Sequence, residues 1–302
     1  MISGIVLLIL AGICWVAIGI AVSLCASHQL NYNIIQMISS AGAALISIPI
    51  LFLPDDRPEL PAKILLTVFL LHFAAGVANY FNYVLTARAM RFGHNGVVWG
   101  MMQSGLLAPF LMGVLFFNVP LPLWRLLGIA AILCGILLLG TTRDPGTGCP
   151  RSARTRWLIP AFGAFLLAGM TQCCNSLPSY WQITADSGSV FRTFSCMTGN
   201  AAGFLLCLRF DPALRRPARP AEWKIGLLLL LLFCLSNYFF FYNGLNLVAE
   251  AGAGSIGYPI PISVCIIGFT IYSTVHLKER FPFAGWIGLI AVTLGIVGLS
   301  LR

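Results

Sequence analysis

Long apolar segments recur along the whole chain, and short polar connections separate them. Each segment has about 20 residues, the length of helix that crosses a hydrocarbon core of about 30 Å. Backbone polar groups in lipid must be bonded within the segment, and the alternation typical of a membrane barrel is absent, so the pattern predicts helices. Ten spans are predicted, at residues 4–25, 32–53, 64–87, 95–117, 123–140, 157–180, 188–208, 224–247, 254–275 and 284–301. The predicted fold class is an all-α polytopic membrane protein.

The composition agrees with a chain embedded in a lipid bilayer. Hydrophobic residues make up 59% of it and charged residues only 9%, with a mean hydropathy of +0.90, whereas soluble chains carry about 25% charged residues. The net charge of +9 lies mostly in short connections, where it encodes membrane orientation, so no nucleic-acid partner is expected. The ten cysteines and four histidines show no metal spacing. We expect no metal, no cofactor and no enzymatic activity.

One polar-aromatic phrase occurs twice, as "NYFNY" at Asn79–Tyr83 and "NYFFFY" at Asn237–Tyr242. The offset is 158 at the asparagines and 159 at the last tyrosines, and other matches follow in order at 157 to 160. The chain is therefore predicted to be a duplication, with a first five-helix repeat at 1–141, a basic linker at 142–156 and a second repeat at 157–302. Five is odd, so the second repeat enters the membrane from the opposite face. Inverted repeats are typical of secondary transporters, with the solute site between the halves.

The repeated phrase supplies the first candidates for that site. Asn79 and Tyr83 share a helical face, as do Tyr238 and Tyr242. Two interpretations stay open at this stage. The phrase lines a common cavity, or its polar groups hydrogen-bond across packed membrane helices.

The chain resembles the ten-helix members of the drug/metabolite transporter superfamily. The resemblance is carried by the duplicated unit, by "RFGHNGVVWG" at the start of the fourth span and by the closing stretch "LKERFPFAGWIGLIAVTLGIVGLSL". The first copy departs from that closing pattern at Asn118, where an acidic residue is common. "NYVLTARAMRFG" is similar to the rhamnose-transporter-like, sugar-uptake branch. The resemblance implies that the third and fourth spans of each unit line the cavity.

Amides beside aromatic rings suit a neutral, hydroxyl-rich or aromatic solute, and they would equally line an adaptable drug pocket. For Trp15, ordinary packing is the alternative. The predicted solute-binding residues are Trp15, Asn79, Tyr80, Tyr83, Gln103, Gln172, Asn175, Asn237, Tyr238, Tyr242, Asn246 and Tyr258.

Three further residues are candidates for gating or coupling. Pro259 and Pro261 remove helical N–H donors, so they predict a broken or kinked ninth helix beside the cavity, with packing as the alternative. Glu250 lies just past the eighth span, where its carboxylate could sit at the cavity mouth or simply be solvated. A coupled proton is accordingly one candidate partner, besides the solute and the lipid.

The sequence thus favours a secondary transporter of a small organic solute in a cytoplasmic-type membrane, with uptake of a sugar-like or neutral polar solute as the specific expectation. Export of amino acids, metabolites or drugs is the alternative. A membrane scaffold or an intramembrane enzyme is a lesser one. The connections after odd-numbered spans hold 13 of the 18 lysines and arginines, which predicts that both chain ends lie outside.

Overall fold

The computed structural model describes residues 1–53, 60–118, 120–141, 151–181, 188–251, 257–280 and 282–300. This part of the chain forms ten helical spans and no strand, which confirms the predicted fold class. The spans are α1 (Ile2–Ser27), α2 (Tyr32–Ile50), α3 (Ala62–Met90), α4 (Asn95–Gln103, Ser104–Leu106 and Leu107–Phe116), α5 (Leu123–Thr141), α6 (Arg151–Tyr180), α7 (Ser189–Phe210), α8 (Pro220–Cys234, Leu235–Phe241 and Tyr242–Glu250), α9 (Pro259–Val275) and α10 (Phe283–Ser300).

The predicted boundaries are close, with two informative differences. Residues 142–150 of the predicted linker lie outside the described residues, and α6 already begins at Arg151. Residues 252–256, with the first part of the predicted ninth span, lie outside them as well, and α9 begins at Pro259.

The surface of the bundle is that of a multi-pass membrane protein. Six of the spans are long and apolar enough to cross a membrane, and three more helices are shorter and apolar. Large apolar side chains point outwards from them, among them Leu137, Phe239 and Leu294. A monomer in water rarely exposes apolar surface on this scale, so these side chains face lipid.

The helix contacts between the two halves of the chain occur in equivalent pairs. Helix α1 packs on α8 and α9, and its counterpart α6 packs on α3 and α4. Helix α2 packs on α8, as α7 packs on α3. The counterparts α5 and α10 pack on each other, as do α2 and α7. This is the pattern expected if the halves are related by the predicted repeat.

The α5–α10 contact shows the same relation in detail. A Cβ on Gly128 would lie 2.7 Å from the carbonyl oxygen of Gly295, and a Cβ on Gly135 would lie 2.7 Å from that of Gly288. Gly288 and Gly295 follow Gly128 and Gly135 by 160 residues. The predicted repeat therefore converts each of these contacts into the other. The two helices run antiparallel at this contact. Small residues let the two helix backbones approach closely in the membrane.

Two helices are irregular where they pass the centre of the bundle. In α4 a 3₁₀ turn, Ser104–Leu106, precedes Pro109, whose missing N–H cannot bond the carbonyl of Gly105. In α8 the segment Leu235–Phe241 is a π-helix.

We refer to the bundle end that holds the connections after α1, α3, α5, α7 and α9 as the basic face.

Candidate functional site

A cavity with about 110 Å³ of free space lies at the centre of the bundle, between α1, α3, α4, α6, α7, α8 and the residue that precedes α9. Both halves of the chain contribute to its wall. The wall includes nine of the residues that the sequence analysis selected, namely Trp15, Asn79, Tyr83, Gln103, Gln172, Asn175, Asn237, Tyr242 and Tyr258. Its other residues are Asn82, Met102, Ala168, Thr171, Cys196, Met197, Phe233 and Phe241.

The repeated phrase divides in the same way in both copies. Its asparagines, Asn79 and Asn237, line the cavity, and so do its last tyrosines, Tyr83 and Tyr242. The tyrosines that follow the asparagines lie elsewhere. Successive residues on a helix are about 100° apart, so an asparagine that faces the cavity turns its neighbour towards another helix.

Tyr80 and Tyr238 are helix-interface residues in this structure, outside the cavity wall. Tyr80 is fully buried, and its hydroxyl donates to Oδ1 of Asn33 at 2.5 Å. The Tyr238 hydroxyl donates to the carbonyl oxygen of Ala43 at 3.1 Å and bonds Oγ of Ser47 at 2.5 Å. For these two tyrosines the structure agrees with the alternative of polar contacts between membrane helices.

The π-helix explains why the second phrase has one more residue than the first. A π turn takes in an extra residue while the flanking helix keeps its direction. Asn237 and Tyr242 therefore both reach the cavity although they are five residues apart, as Asn79 and Tyr83 do at a separation of four. The side-chain amide of Asn243 donates to the carbonyls of Tyr238 and Phe239 within this segment.

Asn246 and the three gating candidates lie outside the cavity wall as well. Asn246 is half-buried one turn beyond Tyr242, and Glu250 is exposed at the end of α8. Pro259 and Pro261 stand in the first turn of α9, where a missing N–H leaves no helical bond unmade. They begin the described helix and do not kink it. Tyr258, which caps this helix, is the residue that touches the cavity.

The cavity wall has an aromatic part and an amide part. The indole N–H of Trp15 donates to Oγ of Ser236 at 2.9 Å, and the Phe241 ring lies 5.1 Å from the Trp15 ring and 5.3 Å from that of Tyr258. On the amide part, Nδ2 of Asn79 donates weakly, at 3.5 Å, to Oδ1 of the buried Asn200.

Two amide oxygens of the wall have no hydrogen-bond partner among the described residues. They are Oε1 of Gln172 and Oδ1 of Asn175, both buried on α6. Buried polar atoms nearly always have a partner. These oxygens can accept hydrogen bonds from hydroxyl or N–H groups of a solute.

The sequence analysis missed two kinds of residue. Asn82 stands three residues after Asn79 on the same helical face, so helical spacing could have found it. Arg192 is one of the five lysines and arginines that do not lie in the connections after odd-numbered spans, and it was not selected as a site residue. In the structure it is 2% exposed and lies against Tyr242.

Two carboxylates that the sequence analysis did not select join the halves at the basic face. Glu279 accepts the backbone N–H groups of Asn95 and Gly96, at 2.8 and 3.3 Å, and so caps the start of α4. Glu222 is fully buried, accepts the N–H of Asn31 at 3.0 Å and pairs with Arg216. The bond to Glu222 raises the pKa of the Arg216 guanidinium, so that the arginine stays charged.

The division of the phrase predicts opposite effects for two matched substitutions. Tyr238→Phe removes the bonds to Ser47 and Ala43, so we expect it to lower the unfolding free energy by about 0.5–1.5 kcal/mol and to leave solute flux unchanged. Tyr242→Phe alters the cavity wall, so it should change flux more than stability. Thermal unfolding in detergent and flux in vesicles measure the two effects. A Tyr238→Phe protein with altered flux and parental stability would contradict this division.

These features define a multi-pass helical membrane protein with a polar cavity at its centre. Residues 2–141 match the profile of the EamA-like transporter family. A search of curated proteins gives no significant match. A solved structure titled only "Crystal structure of protein" shares the fold, with a TM-score of 0.61 and 13% identity over 98% of this chain and 96% of that one.

Proposed function

We propose that the protein is a secondary transporter that moves a small polar organic solute by alternating access, with the central cavity as its binding site. The observation that carries this proposal is the placement of Asn79 and Asn237. They occupy equivalent positions of the two predicted repeats and line one cavity between the halves. Transporters built from inverted repeats bind their solutes at such a position. The match of the first half to a transporter family supports the same function.

Two aromatic layers would serve as gates. Chain direction places Tyr83 on the basic-face side of the asparagines and Tyr242 on the opposite side. The Tyr83 ring lies 6.2–6.3 Å from those of Tyr32, Trp99 and Phe233. The Tyr242 ring lies 5.2 Å from that of Phe241. Opening one layer while the other stays packed would expose the asparagines to one side at a time.

The solute proposed from the wall chemistry has hydroxyl or aromatic groups. Gln172 and Asn175 would accept its hydroxyls, while Trp15 and the tyrosines would stack on its apolar faces. A sugar-like or neutral polar solute, taken up across a bacterial-type cytoplasmic membrane, is the specific proposal. Export of amino acids, metabolites or drugs would use the same cavity. Both chain ends outside, and a proton coupled through Glu250, complete the proposal.

A substitution in the cavity wall tests whether the cavity is the transport path. Asn237→Leu removes one amide from the wall, and we expect it to lower flux by about 10-fold, as the loss of one solute hydrogen bond would. Flux is measured with purified protein in vesicles against labelled sugars, amino acids and cationic dyes. The parent should move at least one class faster than empty vesicles do.

Asn246→Leu is the matched control, because Asn246 lies on the same helix outside the cavity wall. It should keep the parental flux. Equal flux in both variants would exclude the cavity as the path. No flux of any class, with specific capture of another membrane protein, would favour the scaffold. The enzyme alternative requires chemical conversion of a probe.

A further inference from the structure

Helix α7 carries an arginine buried beside the cavity. Arg192 is 2% exposed, and its Nε donates to the carbonyl oxygen of Gly188 at 3.2 Å. Its guanidinium carbon lies 4.3 Å from the centre of the Tyr242 ring, which is part of the cavity wall. The Nη2 group has no hydrogen-bond partner among the described residues. The Nη2 group is thus unpaired, while the face of the guanidinium lies on the ring of Tyr242.

The charge of Arg192 is not balanced by any described residue. Among the described residues, the arginine that pairs with a carboxylate is Arg216, whose partner is Glu222. A guanidinium stays charged inside a protein, and burying a charge without a partner is strongly unfavourable. The ring of Tyr242 supplies only part of the compensation. An anionic group from a ligand would supply the rest.

The positive charge of Arg192 has no counterpart at the equivalent position of the predicted first repeat. Ile35 stands 157 residues before Arg192, and Leu230 stands 158 residues after His72. His72 lies on the same side of the cavity, with its ring 6.5 Å from that of Tyr242 and its Nε2 without a partner in the described structure. Next to Tyr242, behind the cavity wall, the chain therefore carries Arg192 and a buried histidine where the predicted repeat places two aliphatic residues.

We propose that Arg192 forms an anion subsite of the central cavity and binds a carboxylate of the solute. The unpaired Nη2 group of Arg192 donates to the carboxylate, and the Tyr242 ring, on which the guanidinium lies, holds it in place. This inference rests on the proposed function. It also changes the specific expectation from a neutral solute to an organic acid, whose hydroxyl or aromatic body contacts the amides and rings of the wall.

Two matched probes test the subsite. Sodium mandelate and mandelamide have the same ring and hydroxyl, and they differ in the charge of one group. Binding to the purified full-length protein is measured by calorimetry and by thermal shift. We expect the parent to bind mandelate about 10- to 100-fold more tightly than mandelamide, the usual effect of a hydrogen bond to a charged group. Arg192→Met should remove this preference, and Arg192→Lys should restore part of it.

Arg209→Met is the control, since Arg209 lies on the same helix and is exposed; the preference should persist in it. Equal binding of the two probes by the parent, no binding of either, or an unchanged preference in Arg192→Met would each overturn the subsite. Sodium chloride is the third probe, and protection by chloride equal to that by mandelate would show a site for free inorganic anions and contradict the carboxylate. Vesicle flux judges the proposed function separately. Mandelate binding through Arg192 without flux of any solute would contradict the proposed transport function and still support the anion subsite.

Discussion

Gly76→Ala is expected to disrupt the contact between α3 and α7 more than any conservative change in the cavity wall would. A Cβ at Gly76 would lie 1.9 Å from the carbonyl oxygen of Cys196 and 2.8 Å from the backbone nitrogen of Asn200. Both are backbone atoms of a helix and cannot rotate away. The helices must separate, so we expect a loss at or above the upper end of the about 1–3 kcal/mol typical of overpacking. Thermal unfolding in detergent measures it.

Gly163→Ala is the matched control on a neighbouring helix. Among the described residues, its Cβ would meet only Cδ1 of Leu85, at 2.9 Å, which is the end of a flexible side chain. The higher helix propensity of alanine, about 1 kcal/mol, offsets that contact, so stability should stay near the parental value. Because α3 and α7 both contribute to the cavity, Gly76→Ala should also impair solute binding. Equal stability of the two variants would contradict the close α3–α7 approach.

Deleting one phenylalanine from each copy of the phrase should give opposite results. Phe239 lies in the π-helix and is 59% exposed. Its removal should convert the segment to an ordinary α-helix and leave Asn237 and Tyr242 at the cavity, so we expect a folded and active protein. Phe81 is its counterpart in the continuous helix α3. There a deletion rotates all later residues by about 100°, so that Tyr83 leaves the cavity and the fold or the activity is lost.

Size-exclusion chromatography, thermal unfolding and vesicle flux compare the two deletions. The first two measurements stand even if the transported solute is not found. A Phe239 deletion that fails to fold, beside a Phe81 deletion that folds normally, would contradict the role of the π-helix.

The spans could be predicted from the sequence because the requirement for a helix in lipid is local. About 20 apolar residues and their own backbone bonds suffice, whatever lies next to them. The repeat could be predicted for a related reason, since matches such as Gly128 with Gly288 depend only on order and spacing along the chain. The start of α9 was less well placed, because Pro259 and Pro261 fit a kink as well as a first turn.

The cavity residues were predictable only in part. Helical spacing groups Asn79 with Tyr83, but it cannot say which face meets the cavity and which meets another helix. That choice depends on the positions of the neighbouring helices. The hydroxyl of Tyr238 bonds to α2, and the ring of Tyr80 packs against α7. From the sequence alone, the site and the helix-contact interpretations of the phrase therefore both had to stay open.

By itself, the sequence predicted ten apolar spans, an internal duplication and a set of polar residues for a central site. The tertiary structure decided which charges are buried. Arg192 and Glu222 read as ordinary surface charges in the sequence, one near the start of a span and one in a basic connection. Both are buried in the fold, because helices distant in sequence close over them. Whether a charge is buried depends on those distant helices. The free-energy cost of burying it without a counter-ion therefore depends on them as well.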